Sequence, residues 1–217
     1  MKFLAWHLGL GDAIAFADLA VRIADGGPML VPCYAHNVVS VKSLFVNHPN
    51  IGICDPMDPV IVKFGIEKKD IVNLGHYSGV HRKEGEDMVE WVYRTAGMDP
   101  TTRFDSDVVA NAAKSVDQHY ICAHCSLRHE DAKRGFVIDR NRFRGSDLNQ
   151  VDVMNDGTSI LRFAKFIKNA PMIDCIDSSF LHLVEQLWPT GKLFYHKYAR
   201  PHSESYRTLR HNWTVIE

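Results

Sequence analysis

The segment Asp177-Ser178-Ser179-Phe180-Leu181-His182 has the residue types and spacing that suit anion chemistry. An apolar run, Met172 to Ile176, stops at Asp177, and Ser178 and Ser179 open a helical pattern with Leu181, Val184 and Leu187 on its buried side. Pro189 and Gly191 end that pattern before a second apolar run, Leu193 to Tyr195. This is strand, tight turn, helix, strand, the unit of a parallel α/β sheet. The first backbone N–H groups of a helix lack internal partners and carry partial positive charge, so they favour a phosphate or carboxylate. Ser178 and Ser179 add hydroxyl donors, and His182 lies within one turn of them. The competing reading is that Asp177 or Ser178 only caps the helix.

Three further stretches carry groups of the same kind. His7-Leu8-Gly9-Leu10-Gly11-Asp12 follows a first strand, Lys2 to Trp6, and precedes a helical run, Ala13 to Ala24, with Ile14, Ala17, Val21 and Ala24 on one face. Gly9 and Gly11 allow a sharp turn and close approach, but no third glycine completes a dinucleotide fingerprint. Asp12 either caps the helix or projects from the carboxyl end of the first strand, where open α/β sheets hold ligands. The loop Gly75 to Arg82 contains His76, Tyr77 and Arg82 and reads as a substrate loop or a solvated connection. The run His124 to Gly135 offers Ser126, Arg128, Lys133 and Arg134, donors suited to a diphosphate, or else a charged surface loop.

The elements that must position these groups follow a strand–helix rhythm. Strands are expected at Met29–Pro32, Ile51–Cys54, Ile71–Leu74, Tyr120–Ala123 and Val151–Met154, with helices at Val38–Phe45, Glu86–Ala96, Val108–Val116 and after Gly157-Thr158-Ser159. The tail closes on Trp213 to Ile216, a last strand or a segment folding back on the first half. The polar run Thr101 to Asp107 is the natural seam, giving an amino-terminal lobe (1–106) and a carboxyl-terminal lobe (107–217). The expected fold is α/β: two small Rossmann-like parallel-sheet lobes facing each other across a cleft.

With 217 residues, 46% of them hydrophobic, the chain can bury a sizeable core. Its net charge of −1 and pI near 6.9 provide no global field for nucleic acid or an anionic membrane. No apolar run approaches the about 20 residues of a membrane span, and Met1-Lys2 leads straight into a strand rather than a signal peptide. Five cysteines in apolar segments suit reduced thiols and a cytoplasmic location. Cys122 and Cys125 are a close pair, with His124 and His129 nearby, but no second pair completes a zinc site.

These motifs together resemble the GT-B glycosyltransferases, and within them the lipopolysaccharide heptosyltransferase type (glycosyltransferase family 9) in a shortened form. Leu8-Gly9-Leu10-Gly11-Asp12 resembles that family's Leu-Gly-Asp opening. Val151-Asp152-Val153-Met154 followed by Gly157-Thr158-Ser159-Ile160-Leu161 resembles its strand, turn and Thr-Ser-Leu helix. Asp177-Ser178-Ser179-Phe180-Leu181-His182-Leu183 resembles its donor motif, and Cys125 to Phe136 its phosphate-side loop. The chain departs from the pattern in its short length, in Ser179 at the motif glycine and in Trp188 before Pro189.

The resemblance implies transfer of a sugar from a nucleotide sugar to the hydroxyl of a glycan or other acceptor, with inversion and without a metal or other cofactor. Asp12 would be the catalytic base. Donor phosphates would meet Ser126, Arg128, Lys133, Ser178, Ser179 and His182, Asp177 would fix the loop or meet the donor's sugar or ribose, and the acceptor would meet Gly9, Gly11, His76, Tyr77 and Arg82. No nucleic-acid partner is expected, and a peripheral membrane contact is left open. The alternatives are a non-catalytic nucleotide or nucleotide-sugar binding protein, or a nucleotide-sugar epimerase or hydrolase on the same fold.

Overall fold

The computed structural model describes residues 1–6, 8–56, 65–74, 80–118, 125–144, 149–153, 157–201 and 209–217. Strands β1 (Lys2–Ala5), β2 (Met29–Pro32), β3 (Ile51–Cys54) and β4 (Ile71–Asn73) form one sheet, in the order β3-β2-β1-β4. Strands β5 (Cys125–His129), β6 (Asn149–Asp152), β7 (Met172–Cys175), β8 (Lys192–His196) and β9 (Trp213–Ile216) form a second, in the order β6-β5-β7-β8-β9. Every pairing in both sheets is parallel, so the α/β, two-sheet expectation is met. The strand order reverses between β1 and β4 in the first sheet and between β5 and β7 in the second. Such switch points open crevices at the carboxyl ends of strands.

Among the described residues the α-helices are α1 (Leu10–Ala15), α2 (Ala17–Ala24), α3 (Val38–Leu44), α4 (Met88–Thr95), α5 (Val108–Lys114), α6 (Ala164–Asn169) and α7 (Ser179–Gln186). The single helix expected over Ala13–Ala24 begins earlier and is divided at Phe16, whose φ of −111° leaves the helical range. The two sheets lie on either side of the proposed seam, but they do not have separate cores. One cluster runs through Leu4, Ile14, Leu44, Leu127, Ile167 and Leu183. Helix α1 packs on α7, and α5 packs on α2, α3 and α7. Polar contacts stitch the halves as well: Ser40 Oγ donates to Thr158 O (3.2 Å) and accepts from Ile160 N (3.1 Å).

Two expectations need correction or fall outside view. Cys125–His129 is a strand, where a donor-rich loop was expected; the expected strand Tyr120–Ala123 and Cys122 lie outside the described residues. The tail does form a strand, with β9 pairing parallel to β8 at the sheet edge.

Local chemistry sets the helix ends. Asp87 and Glu90 form a reciprocal capping box on α4: Glu90 N donates to Asp87 Oδ1 (2.8 Å) and Asp87 N to Glu90 Oε2 (3.0 Å). Just before it, Arg94 grips Glu86 with two bonds of 2.7 Å. The charge-assisted bonds from Arg94 lower the Glu86 pKa from 4.5 to about 2, with Lys83 N adding a further donor. A depressed carboxylate pKa gives stability that is present above the unfolded value and lost as pH falls toward the folded one. The melting temperature of Glu86→Gln should therefore lie below wild type at neutral pH, with the gap closing between about pH 4.5 and pH 2. A gap independent of pH would show that the pair contributes nothing electrostatic.

Candidate functional site

Residues from the two ends of the sequence meet where α1 and α7 begin. Helix α1 follows β1 and α7 follows β7, so each starts beside the switch point of its own sheet. Gly11 makes the approach possible. A Cβ placed on it would lie 3.2 Å from His182 Cδ2 and 3.4 Å from Ser179 Cα, so a larger residue would force the helices apart. The Asp12 carboxylate folds back over Gly9, where an added Cβ would sit 2.7 Å from its Oδ2. Asp12 is half-buried in the first turn of α1, next to the turn that carries Ser178 and Ser179. At this point the halves are in contact rather than separated.

The start of α7 is built differently from that of α4. Ser178 occupies the N-cap with extended backbone, yet its side chain makes no cap hydrogen bond; its Oγ instead donates to Ile176 O at 3.3 Å. Ser178 and Ser179 are half-buried, and Asp177 is buried. The Asp177 carbonyl accepts from Arg200 Nη1 at 2.8 Å, which brings a guanidinium to this turn. Arg200 also lies over the Phe136 ring, 5.1 Å from its centroid. His129, at the end of β5, sits with its ring centroid 5.2 Å from that of Phe180 in the first turn of α7. Its Nδ1 is 2.8 Å from Val153 O and must carry the proton, since a carbonyl can only accept; burial lowers its pKa and keeps the ring neutral.

The expected phosphate donors fare unevenly. Ser126 is fully buried within β5. Arg128 is held by Asp152 on the neighbouring strand (Nε to Oδ1, 3.0 Å) and lies 3.7 Å from Glu130, so its charge is matched inside the protein. Lys133 is exposed on the short turn Ala132–Arg134. His182 packs close to Gly11 of α1 and lines a small cavity with Ala15, Val89 and Glu185. On the acceptor side, Gly9 and Gly11 lie at the site, whereas Arg82 is exposed and donates to Glu86 O at the foot of α4. His76 and Tyr77 lie outside the described residues.

Arg200 was not singled out from sequence, and His129 was noted only as a neighbour of the Cys122 and Cys125 pair. Their signal was position alone, a cation after the last β8 residue and a histidine ending β5, and neither lies near Asp177 in the chain. Among the described residues no three His, Cys, Asp or Glu side chains group as a metal would require, and no helix is long and apolar enough to cross a membrane. Compared with models of protein families, with curated proteins and with solved structures, the chain matches none.

Proposed function

We propose that the chain is an inverting glycosyltransferase of the GT-B kind, moving a sugar from a nucleotide sugar to an acceptor hydroxyl. The observation that supports this most directly is the meeting of the Asp12 turn and the Ser178–Ser179 turn at the switch points of two parallel sheets. Asp12 takes the proton of the acceptor hydroxyl as the sugar–phosphate bond breaks. The anomeric carbon passes through a cation-like state and is attacked on the face opposite the diphosphate. The uncapped start of α7 and the Arg200 guanidinium stabilise the charge that gathers on the departing diphosphate. One such donor is typically worth about 3 kcal/mol of barrier, roughly a hundredfold in rate.

A second reading is a nucleotide-binding protein without transfer activity. It is favoured by the close contact between α1 and α7, and by the engagement of Arg128 with Asp152 and Glu130.

A melting screen against ADP-, GDP-, UDP-, CMP- and dTDP-linked sugars, followed by an acceptor-glycosylation assay with the donor that binds, separates the two. Under the transferase reading one donor class raises the melting temperature and supports transfer. Arg200→Met should lower affinity for that donor about tenfold or more, since charge-assisted bonds contribute about 1.5–3 kcal/mol. A thermal shift without transfer would leave the binding protein, and no shift with any donor would overturn both.

A further inference from the structure

A dense block of positive charge lies on one short segment of the surface. Residues 132–144 carry five Lys or Arg against a single Asp, a net of +4 in a chain whose total is −1. Lys133, Arg134, Arg140, Arg142 and Arg144 are all exposed. Arg134 and Arg142 stand 3.9 Å from Asp131 and Asp139, loose contacts that neutralise little in water. Lys133, Arg140 and Arg144 form no ion pair with any described residue.

The segment is anchored from beneath. Ile138 and Phe143 are buried with Ile176 in a small core of their own. Asp139 N donates to Tyr198 Oη (2.8 Å), just past β8, and Arg144 N donates to Asp174 Oδ1 (3.2 Å) on β7. The backbone is therefore fixed while the cationic side chains reach outward. Between the two groups of cations Val137 is 47% exposed, although its neighbour Ile138 is buried.

We propose that residues 132–144 dock the chain on an anionic lipid surface, with the cations against headgroup phosphates and Val137 in the interfacial layer. The inference does not depend on the proposed transfer reaction. Basic side chains near an anionic leaflet add their attractions, and the field fades within a Debye length. A flat surface that meets this face alone is thus drawn to the local +4, whatever the net charge of the whole chain. An exposed apolar side chain among cations also suits a bilayer boundary, which accepts both. Nucleic acid is the poorer fit. The Phe136 ring lies under the Arg134 and Arg200 guanidinium groups (5.4 and 5.1 Å), and the Tyr198 ring under Arg142 (4.7 Å). Arginines thus take up the ring faces on which bases would stack.

Co-sedimentation of the full chain with vesicles of phosphatidylcholine, alone or with about 30 mol% phosphatidylglycerol, tests the proposal. Binding should be at least about tenfold stronger to the mixed vesicles and should fade as sodium chloride is raised. Arg140→Gln with Arg144→Gln, and separately Val137→Asp, should each weaken that binding about tenfold or more. Equal binding to both vesicle types, or wild-type binding by either folded variant, would overturn the docking surface. So would tighter retention on polyuridylate RNA than on the mixed vesicles, or displacement by inorganic phosphate at matched ionic strength. Should a variant fail to fold, the wild-type comparison of the two vesicle types decides alone.

Discussion

Asp12→Asn is expected to abolish sugar transfer, by a factor of about 10²–10⁴, while leaving the donor-induced rise in melting temperature intact. Asparagine keeps the size and hydrogen-bonding shape of the side chain over Gly9 but cannot accept a proton from an acceptor hydroxyl. Under the proposed transferase reading binding should survive, because the donor would be held from the other half, by the start of α7 and by Arg200, which lies against the Asp177 carbonyl. A variant that transfers at the wild-type rate would remove Asp12 as base. One that loses donor binding as well would show that the carboxylate shapes the α1–α7 contact instead, since Gly11, its neighbour, already touches Ser179 and His182.

His196→Leu should destabilise the chain by about 3–5 kcal/mol, lowering its melting temperature on the order of 10 °C. His196 Nε2 donates to Asp174 Oδ1 at 2.7 Å, and both side chains are fully buried. That same oxygen accepts from Arg144 N at 3.2 Å, whereas Oδ2 has no hydrogen-bond partner. On the far side of the ring, Tyr198 Oη donates to His196 Nδ1 at 3.3 Å and accepts from Asp139 N at 2.8 Å. The chain of bonds fixes the 139–144 segment over Ile138, Phe143 and Ile176. Removing the imidazole strands a buried carboxylate. Adding Asp174→Asn to His196→Leu should restore much of the loss, because the charge goes while the acceptor for Arg144 N stays. Losses that simply add in the double variant would show that the pair is not energetically coupled.

The parallel sheets were readable because their strands are short apolar runs bounded by Gly, Pro or Asp, as where Asp55-Pro56 follows β3 and where Pro189 to Gly191 precedes β8. The two turns that meet at the site were also readable, since each follows a strand and opens a helix. What they touch was not. Arg128 looks like a phosphate ligand in a run of donors; only the register that sets it opposite Asp152 on β6 shows its charge already matched. Ser126 is polar in sequence but faces the protein interior from the middle of β5. Arg103 falls in the polar seam Thr101 to Asp107 yet is buried, with Arg22 of α2 bound to its neighbour Thr102, and Arg200 reaches Asp177 across 23 positions. Each of these depends on pairing between distant segments, which local pattern does not encode.

The common core of the two sheets constrains how any substrate arrives. A wide hinge opening would pull α1 off α7, expose apolar surface that both halves now share, and break the bridge from Ser40 to Thr158 and Ile160. Rigid-body gaping is therefore costly for this chain. Under the proposed reaction, a substrate would have to reach the Asp12 turn with the two halves acting as a fixed frame, rather than through a gap opened between them.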